Sequence, residues 1–117
     1  MYKFKVEFLR DVFDFLDQLD AKARDKILFN IDKSKVIDDK KIFKKLNSDI
    51  WEFRTLFNKK QYRLFAFWDK SDKKNTIVIA THGIVKKSQK TPGKDIDKAI
   101  ELMNKYFKEK NKDYENI

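Results

Sequence analysis

The chain has 117 residues, a length that suits one domain built around one core. Hydrophobic residues make up 41% of it and aromatic residues 15%, which excludes a disordered polar chain. Lys and Arg outnumber Asp and Glu by 28 to 19, and the formal net charge is +9. Such a balance suits a polyanionic partner, either nucleic acid or an acidic protein, whereas a merely solvated lysine surface is the plainer alternative. The positive charge is concentrated between Lys40 and Arg63, which favours the polyanion.

The sequence contains no cysteine, which excludes disulfide bonds and thiolate metal ligands. It contains one histidine, so we expect no zinc site, no other metal and no cofactor. Charged residues recur every few positions across residues 1–19, a pattern that fits neither a signal peptide nor a membrane span. We therefore expect a cytoplasmic protein without a membrane partner.

The first predicted element is a strand from Lys3 to Leu9, because apolar and charged residues alternate there. Asp11 is the expected cap of a short helix, and Asp20 is the expected cap of a second helix from Ala21 to Ser34. Since the link between the helices is so short, they are expected to form an antiparallel hairpin. Residues 36–49 are mostly polar and predict a loop with one helical turn.

Three aromatic-rich segments follow, separated by short polar turns, and they predict an antiparallel meander of strands. They are Ile50–Phe57, Gln61–Asp69 and Asn75–Gly83. A last amphipathic helix is expected to begin near Pro92 or Asp95, with Thr91 as its cap. The predicted fold is therefore α+β, with the meander completing a twisted sheet with the first strand. Residues 1–110 are the expected single domain, and residues 111–117 the expected polar tail.

The strand registers predict a cluster of basic side chains. Tight turns between the strands place Leu56 opposite Arg63, and Arg63 opposite His82. These registers put Arg54, Arg63 and His82 on one face of the sheet, whereas the other face is apolar and covered by the helical hairpin. The expected apolar face consists of Trp51, Phe53, Leu64, Ala66, Trp68, Ile77 and Ile79.

The basic face has side chains suited to RNA chemistry. Arg54 and Arg63 can clamp phosphates bidentately, and Phe65 can stack a base. His82 titrates near neutrality and can act as an acid or a base. Lysines 86, 87 and 90 follow His82 closely. Each feature also has a plainer interpretation, because the arginines can pair with Glu52, the histidine can be structural, and Phe65 can belong to the core under the last helix.

Two stretches share a recognisable pattern, KKLNSDIWEFRTLFNKKQYRLFAFWD and IVIATHGIVKKSQKTPGKDIDKAIELM. A basic residue and a leucine, Lys45 and Leu46, precede the segments Ile50–Arg54 and Tyr62–Phe65, and a hydrophobic strand then leads into His82–Pro92. In this pattern the chain resembles the HigB-like (phage-derived) toxins of the RelE/ParE type II toxin–antitoxin superfamily. The resemblance covers nearly the whole chain and implies a RelE-like fold.

The resemblance also implies an activity, a metal-independent, ribosome-dependent mRNA endonuclease that inhibits translation. It implies a helix-turn-helix antitoxin as partner, through which the toxin reaches operator DNA. Arg54 and Arg63 would be the phosphate-binding cations. The acid or base would be His82, Lys86 or Lys87. Contacts to RNA would come from Lys90, Phe65 and Lys45.

The sequence departs from the family pattern at two positions, and two alternative functions are considered beside the nuclease. Ile84 stands where the family often has Phe, and Gly93 follows Pro92 where a polar residue is commoner. ParE-type members of the superfamily inhibit DNA gyrase rather than cleave RNA, and His82 with the lysine run favours the nuclease branch. The remaining alternative is an inactive module that binds nucleic acid or an antitoxin.

Overall fold

The computed structural model of the chain describes residues 3–86 and 93–115, and side chains as far as Lys112. Three helices and five strands occur in these residues, and the strands form one sheet. In chain order the elements are β1 (Lys5–Phe8), α1 (Arg10–Asp17), α2 (Ala21–Ser34), β2 (Phe43–Lys45), β3 (Trp51–Phe57), β4 (Lys60–Asp69), β5 (Ile77–Lys86) and α3 (Gly93–Glu115). The α+β class and the antiparallel meander β3–β4–β5 are confirmed.

The sheet has the order β1-β5-β4-β3-β2, and β1 runs parallel to β5 while the other neighbours are antiparallel. It is therefore mixed, since the chain crosses from β1 to the far side of the meander before returning. The loop predicted for residues 36–49 is wrong in one part, because β2 pairs there with the start of β3. Only Phe43 of its three residues is buried, so the sequence shows too little alternation to reveal a strand.

The helix predictions hold for α2 and fail in one detail for α1. Asp20 caps α2, and its Oδ1 accepts a hydrogen bond from the backbone N–H of Ala23 at 2.8 Å. The cap of α1 is Leu9, without a side-chain hydrogen bond, so the prediction that Asp11 caps this helix is wrong. Asp11 lies in the first turn instead, where a carboxylate still favours the positive end of the helix dipole. At the other end of the chain, α3 continues through Glu115 into the predicted polar tail.

Helices α1 and α2 cover one face of the sheet, which we call the α1/α2 face. Gly83 of β5 lies directly beneath Phe15 of α1, and a Cβ atom at Gly83 would come within 2.4 Å of the Phe15 ring. A glycine is therefore needed for α1 to approach the sheet this closely. The buried core of this face consists of Phe4, Val12, Leu16, Ala23, Ile27, Ile31, Phe43, Phe53, Tyr62, Leu64, Ala66, Val78 and Ala80.

Helix α3 packs on the opposite face, which we call the α3 face. Phe65 and Phe67 of β4 are fully buried there, and the Phe67 ring contacts the rings of Tyr106 and Phe107. The buried core of this face consists of Ile50, Phe65, Phe67, Ile79 and Ala99. The interpretation of Phe65 and Phe67 as core residues under the last helix is thus confirmed.

A β-bulge at Thr81 decides which face each residue of β5 occupies. Phe65 pairs with His82 and Ala66 pairs with Ala80, so Thr81 is the extra residue. Before the bulge, Ile77 and Ile79 point to the α3 face, and the prediction that they lie on the α1/α2 face is wrong. Strict alternation, on which that prediction rested, does not survive an inserted residue.

The turn between β3 and β4 lies one residue earlier in the chain than the predicted pairing of Leu56 with Arg63 requires. Asn58 and Lys59 form its tip, both with positive φ (51° and 63°), and Phe57 pairs with Lys60. This left-handed pair matches the twist of a two-residue hairpin. Leu56 consequently pairs with Gln61 rather than with Arg63. The shift amounts to two residues along the partner strand, so every side chain keeps its predicted face.

Candidate functional site

The sheet brings together the three residues predicted to share a face, although their pairing differs. Arg54 lies directly opposite Arg63, and His82 lies opposite Phe65. Lys86, at the end of β5, lies opposite Gln61. Since residues paired across antiparallel strands share a face, all six side chains belong to the α3 face. Beyond the apolar core under α3, this face has a charged half, which we define as Glu52, Arg54, Gln61, Arg63 and Lys86.

Glu52 is the common partner of the two arginines. Arg63 Nη1 donates to Glu52 Oε1 at 2.9 Å, and Arg54 Nε lies 3.5 Å from the same oxygen. Glu52 and Arg63 are each only 2% exposed, whereas Arg54 is partly exposed. The plainer interpretation, pairing with Glu52, is thus correct in geometry. Because one carboxylate faces two guanidinium groups, the cluster still carries excess positive charge.

Arg63 is held almost without solvent. Burial lowers the pKa of its guanidinium, and the neighbouring Glu52 opposes this shift. Gln61 Oε1 accepts a hydrogen bond from Arg63 Nη2, and within the described parts of the chain Arg63 Nε has no hydrogen-bond partner. A desolvated guanidinium with a spare donor is a strong anion-binding group, because little water must be displaced when the anion arrives.

Lys86 is a buried lysine beside these arginines. Its side chain is almost fully enclosed, with 5% of the residue exposed. Burial lowers the pKa of Lys86, the positive charge of Arg63 lowers it further, and Glu52 opposes both. A lysine whose pKa is lowered by burial and by neighbouring cations can exchange a proton closer to neutral pH than a free lysine.

His82 is held on three sides. Its ring stacks on Phe65 with the centroids 4.8 Å apart, Nδ1 lies 2.9 Å from Thr81 Oγ1, and Nε2 lies 3.3 Å from Asp95 Oδ1. Burial lowers the pKa of His82, Lys98 lowers it too, and Asp95 opposes them. Both nitrogens therefore already contact protein groups, and the histidine joins the first turn of α3 to the sheet.

None of the other predicted site residues that the structure describes belongs to the charged half. Phe65 is fully buried with His82 on its ring, so no face of it is open to a base. Lys45 pairs with Trp51 and lies on the α1/α2 side of the sheet, whereas Lys44 pairs with Glu52 and lies on the charged side. Lys87, Lys90 and the predicted cap Thr91–Pro92 lie outside the described residues. Lys44 was missed because β2 looks like a loop in the sequence.

An open cleft of about 440 Å³ adjoins the charged half. Its walls come from α2, from the loop before β2 and from the ends of β3 and β4. Among the described residues, its lining holds five cationic side chains and one carboxylate, that of Asp39. The cationic side chains are Lys26, Lys33, Lys41, Arg54 and Arg63. The sequence does contain a signal for this cleft, since Lys26, Asn30 and Lys33 recur at the spacing of one helix face.

Comparison with protein families matches residues 14–104 to the Gp49-like phage-derived proteins (DUF891). The chain belongs to this family. It is a RelE/HigB-like toxin family, so the broad resemblance inferred from the sequence is confirmed, while a HigB-specific assignment is not. Comparisons with curated proteins and with solved structures find no match to the chain. Among the described residues, none of the helices is both long and apolar enough to span a membrane.

Proposed function

We propose that this member of the Gp49-like family is the toxin of a type II toxin–antitoxin pair, and that it cleaves mRNA on the ribosome. Family membership supports a toxin. The observation that carries the nuclease proposal is the grouping of Arg54, Arg63 and Lys86 around Glu52 on one sheet face. Two phosphate-binding cations and a lysine able to exchange a proton are the groups that RNA cleavage needs.

The proposed reaction uses the RNA itself as nucleophile. The 2′-hydroxyl loses its proton to a base and its oxygen bonds to the adjacent phosphorus, while the bond from phosphorus to the 5′-oxygen breaks. The leaving 5′-oxygen gains a proton, so the products are a 2′,3′-cyclic phosphate and a 5′-hydroxyl. Lys86 and Lys87 are the proposed proton-exchanging groups, the neutral amine of one accepting the 2′-hydroxyl proton and the ammonium of the other donating a proton to the 5′-oxygen. Arg54 and Arg63 stabilise the extra negative charge on the phosphate.

His82 takes a different part in this proposal from the one expected from the sequence alone. Since both its nitrogens contact Thr81 and Asp95, we assign it to positioning the start of α3 beside the charged half. Lys87 follows Lys86 directly in the chain, and Lys90 comes three residues later. Both remain proposed contributors, Lys87 to proton transfer and Lys90 to RNA binding. Lys44, on the charged side of β2, replaces Lys45 as the proposed RNA contact from that strand.

The proposed partner is a helix-turn-helix antitoxin. A net charge of +9 favours an acidic segment of that antitoxin as the element that covers the charged half. Operator DNA would be reached through the antitoxin only. Co-expression of a neighbouring helix-turn-helix protein should restore growth, and the complex should weaken as salt rises.

Inducible expression tests the nuclease proposal. Wild-type protein should stop growth and produce transcripts with new 5′-hydroxyl ends. Lys86→Met should abolish both effects, because methionine fills a similar volume but cannot exchange a proton. Arg54→Gln should weaken them by at least about tenfold, the loss typical of a removed transition-state charge contact. Lys73→Gln, on the exposed turn after β4, is the matched control.

Arg63→Ala is a poorer test, because it leaves Glu52 buried with one partner fewer and endangers the fold. If Lys86→Met and Arg54→Gln remained as toxic as wild type while accumulating equally, the site assignment would be overturned. Intact transcripts together with a DNA-damage response would instead identify a gyrase inhibitor. Growth without any effect of the wild-type protein would identify an inactive binding module.

A further inference from the structure

The cleft beside the charged half is formed where the sheet edge is left uncovered by β2. This strand pairs only with residues 51–53 of β3, and the next residue, Arg54, donates its backbone N–H to Ile42 O at 2.8 Å. From there the loop before β2 turns away, and α2 supplies the other wall. Asn30 Nδ2 donates to Thr55 Oγ1 at 3.1 Å, which fixes α2 against β3.

The lysines of the cleft are available to a ligand. Within residues 3–86 and 93–112, neither Lys33 nor Lys41 forms an ion pair, and Lys26 lies over the Phe29 ring at 5.2 Å. The carboxylate of Asp39 is engaged by the backbone N–H of Lys41 at 2.9 Å. Within the part of the chain that the structure describes, the side chains of Lys33 and Lys41 thus give the cleft positive charge that no ion pair neutralises.

We propose that this cleft binds the phosphodiester backbone of single-stranded RNA as the strand leaves the charged half, an assignment that rests on the proposed RNA substrate. Arg54 and Arg63 belong to both the charged half and the cleft wall, so one strand can run from one to the other without a break. The α2 lysines extend the row by about 10 Å, since each helical residue advances 1.5 Å.

The row of cations favours an RNA backbone over an acidic protein segment. Phosphates repeat regularly along a strand, and cations spaced along a groove match that repeat without reading the bases. The exposed side chain of Leu56 stands at the junction of the cleft and the charged half, where it can contact a base. The cleft would therefore increase the affinity for the RNA strand without selecting its base sequence.

Fluorescence anisotropy with a labelled single-stranded oligouridylate tests the cleft. Lys33→Gln/Lys41→Gln should weaken binding at least about tenfold and reduce the slope of log affinity against log salt by about 1.4, or about 0.7 for each lost phosphate contact. Lys73→Gln/Lys74→Gln removes the same charge at the opposite end of β4 and should change neither quantity. Thermal unfolding of both variants checks that the fold is intact.

The anisotropy experiment measures RNA binding and not RNA cleavage, so its result tests the cleft separately from the nuclease proposal. Cleft-dependent RNA binding by a protein that cuts no transcript would leave the cleft assignment standing and overturn the nuclease proposal. Equal affinity of the two double variants would overturn the cleft assignment, whether or not the protein cleaves RNA. Lysine-dependent binding of duplex RNA alone, or of a polyglutamate peptide in place of RNA, would also overturn it.

Discussion

The α3 face has an apolar half under α3 and a charged half, and strands β4 and β5 contribute to both. The apolar half buries hydrocarbon side chains, whereas the charged half buries an ion pair. Under α3, Phe65 and Phe67 are buried without a polar group to satisfy. In the charged half, Arg63 and Glu52 are buried just as completely, and each depends on the other. The comparison shows that stability in one half comes from apolar contact, whereas in the other it depends on charges that remain matched.

The apolar half is bounded by α3, which is tied to the sheet at both ends. Near its start, Asp95 contacts His82. Towards its end, Tyr106 Oη and Lys110 Nζ both donate to the buried Asp69 Oδ2, at 2.6 Å and 2.7 Å. Burial raises the pKa of Asp69, but hydrogen bonds from Lys110, Ser71 and Tyr106 outweigh it and hold that pKa far below its usual range. The helix is therefore a fixed boundary of the charged half.

The largest effect is expected in the apolar half. Phe67→Ala should lower the free energy of unfolding by about 4 kcal/mol, because a fully buried ring is replaced by a cavity. Leu56→Ala in the cleft wall, where the leucine is 69% exposed, should change it by less than about 0.5 kcal/mol. Urea denaturation measures both. Similar losses for the two variants would contradict the assignment of the core to α3.

The charged half is probed by breaking its buried pair. Arg63→Ala should lower the free energy of unfolding by about 3 kcal/mol, because the buried carboxylate of Glu52 then loses its closest ion-pair partner. Glu52→Gln/Arg63→Met should lose clearly less, since both charges of the buried pair are removed together. If the double variant lost as much free energy of unfolding as Arg63→Ala, or more, the stability of the charged half would not depend on matched charges.

His82 lies between the two halves and should make the free energy of unfolding depend on pH. Because the pKa of His82 in the folded protein is lowered from 6.5, the unfolded chain binds a proton first as the pH falls. The free energy of unfolding should therefore fall below about pH 6.5, by at most about 1.4 kcal/mol per pH unit. His82→Gln should flatten this dependence just below about pH 6.5, as measured by urea denaturation in buffers of constant ionic strength. An unchanged slope would show that His82 is protonated equally in both states.

The smallest effect is expected at the turn that sets the register of the charged half. Lys59→Gly should raise the free energy of unfolding by about 0.5 kcal/mol, because glycine adopts the positive φ of this position without strain. Lys60→Gly, in the adjoining strand, should lower it, since glycine weakens a strand. Thermal unfolding distinguishes the two. A lower melting temperature for Lys59→Gly would show that the turn geometry is not strained.

Much of this arrangement could be predicted from the sequence, and what could not has physical causes. The helix Ala21–Ser34 has a cap and a periodic stripe, and Arg54 and Arg63 share a face under any register shifted by two. The short strand β2 has too few buried residues to alternate, so Lys44 was missed. The spacing of Lys26, Asn30 and Lys33 places them on one face of α2, but the packing of that face beside β3 is tertiary and cannot be read from local spacing.

The bulge residue Thr81 also has a consequence for chains of different length. Because the bulge absorbs one residue, a chain lacking Thr81 would keep each remaining side chain of β5 on its present face. Such a deletion would cost the hydroxyl beside His82 Nδ1 and the added twist of the strand, but not the topology. Length variation at this position is therefore compatible with an unchanged charged half, and an alignment gap there would not mark a different site.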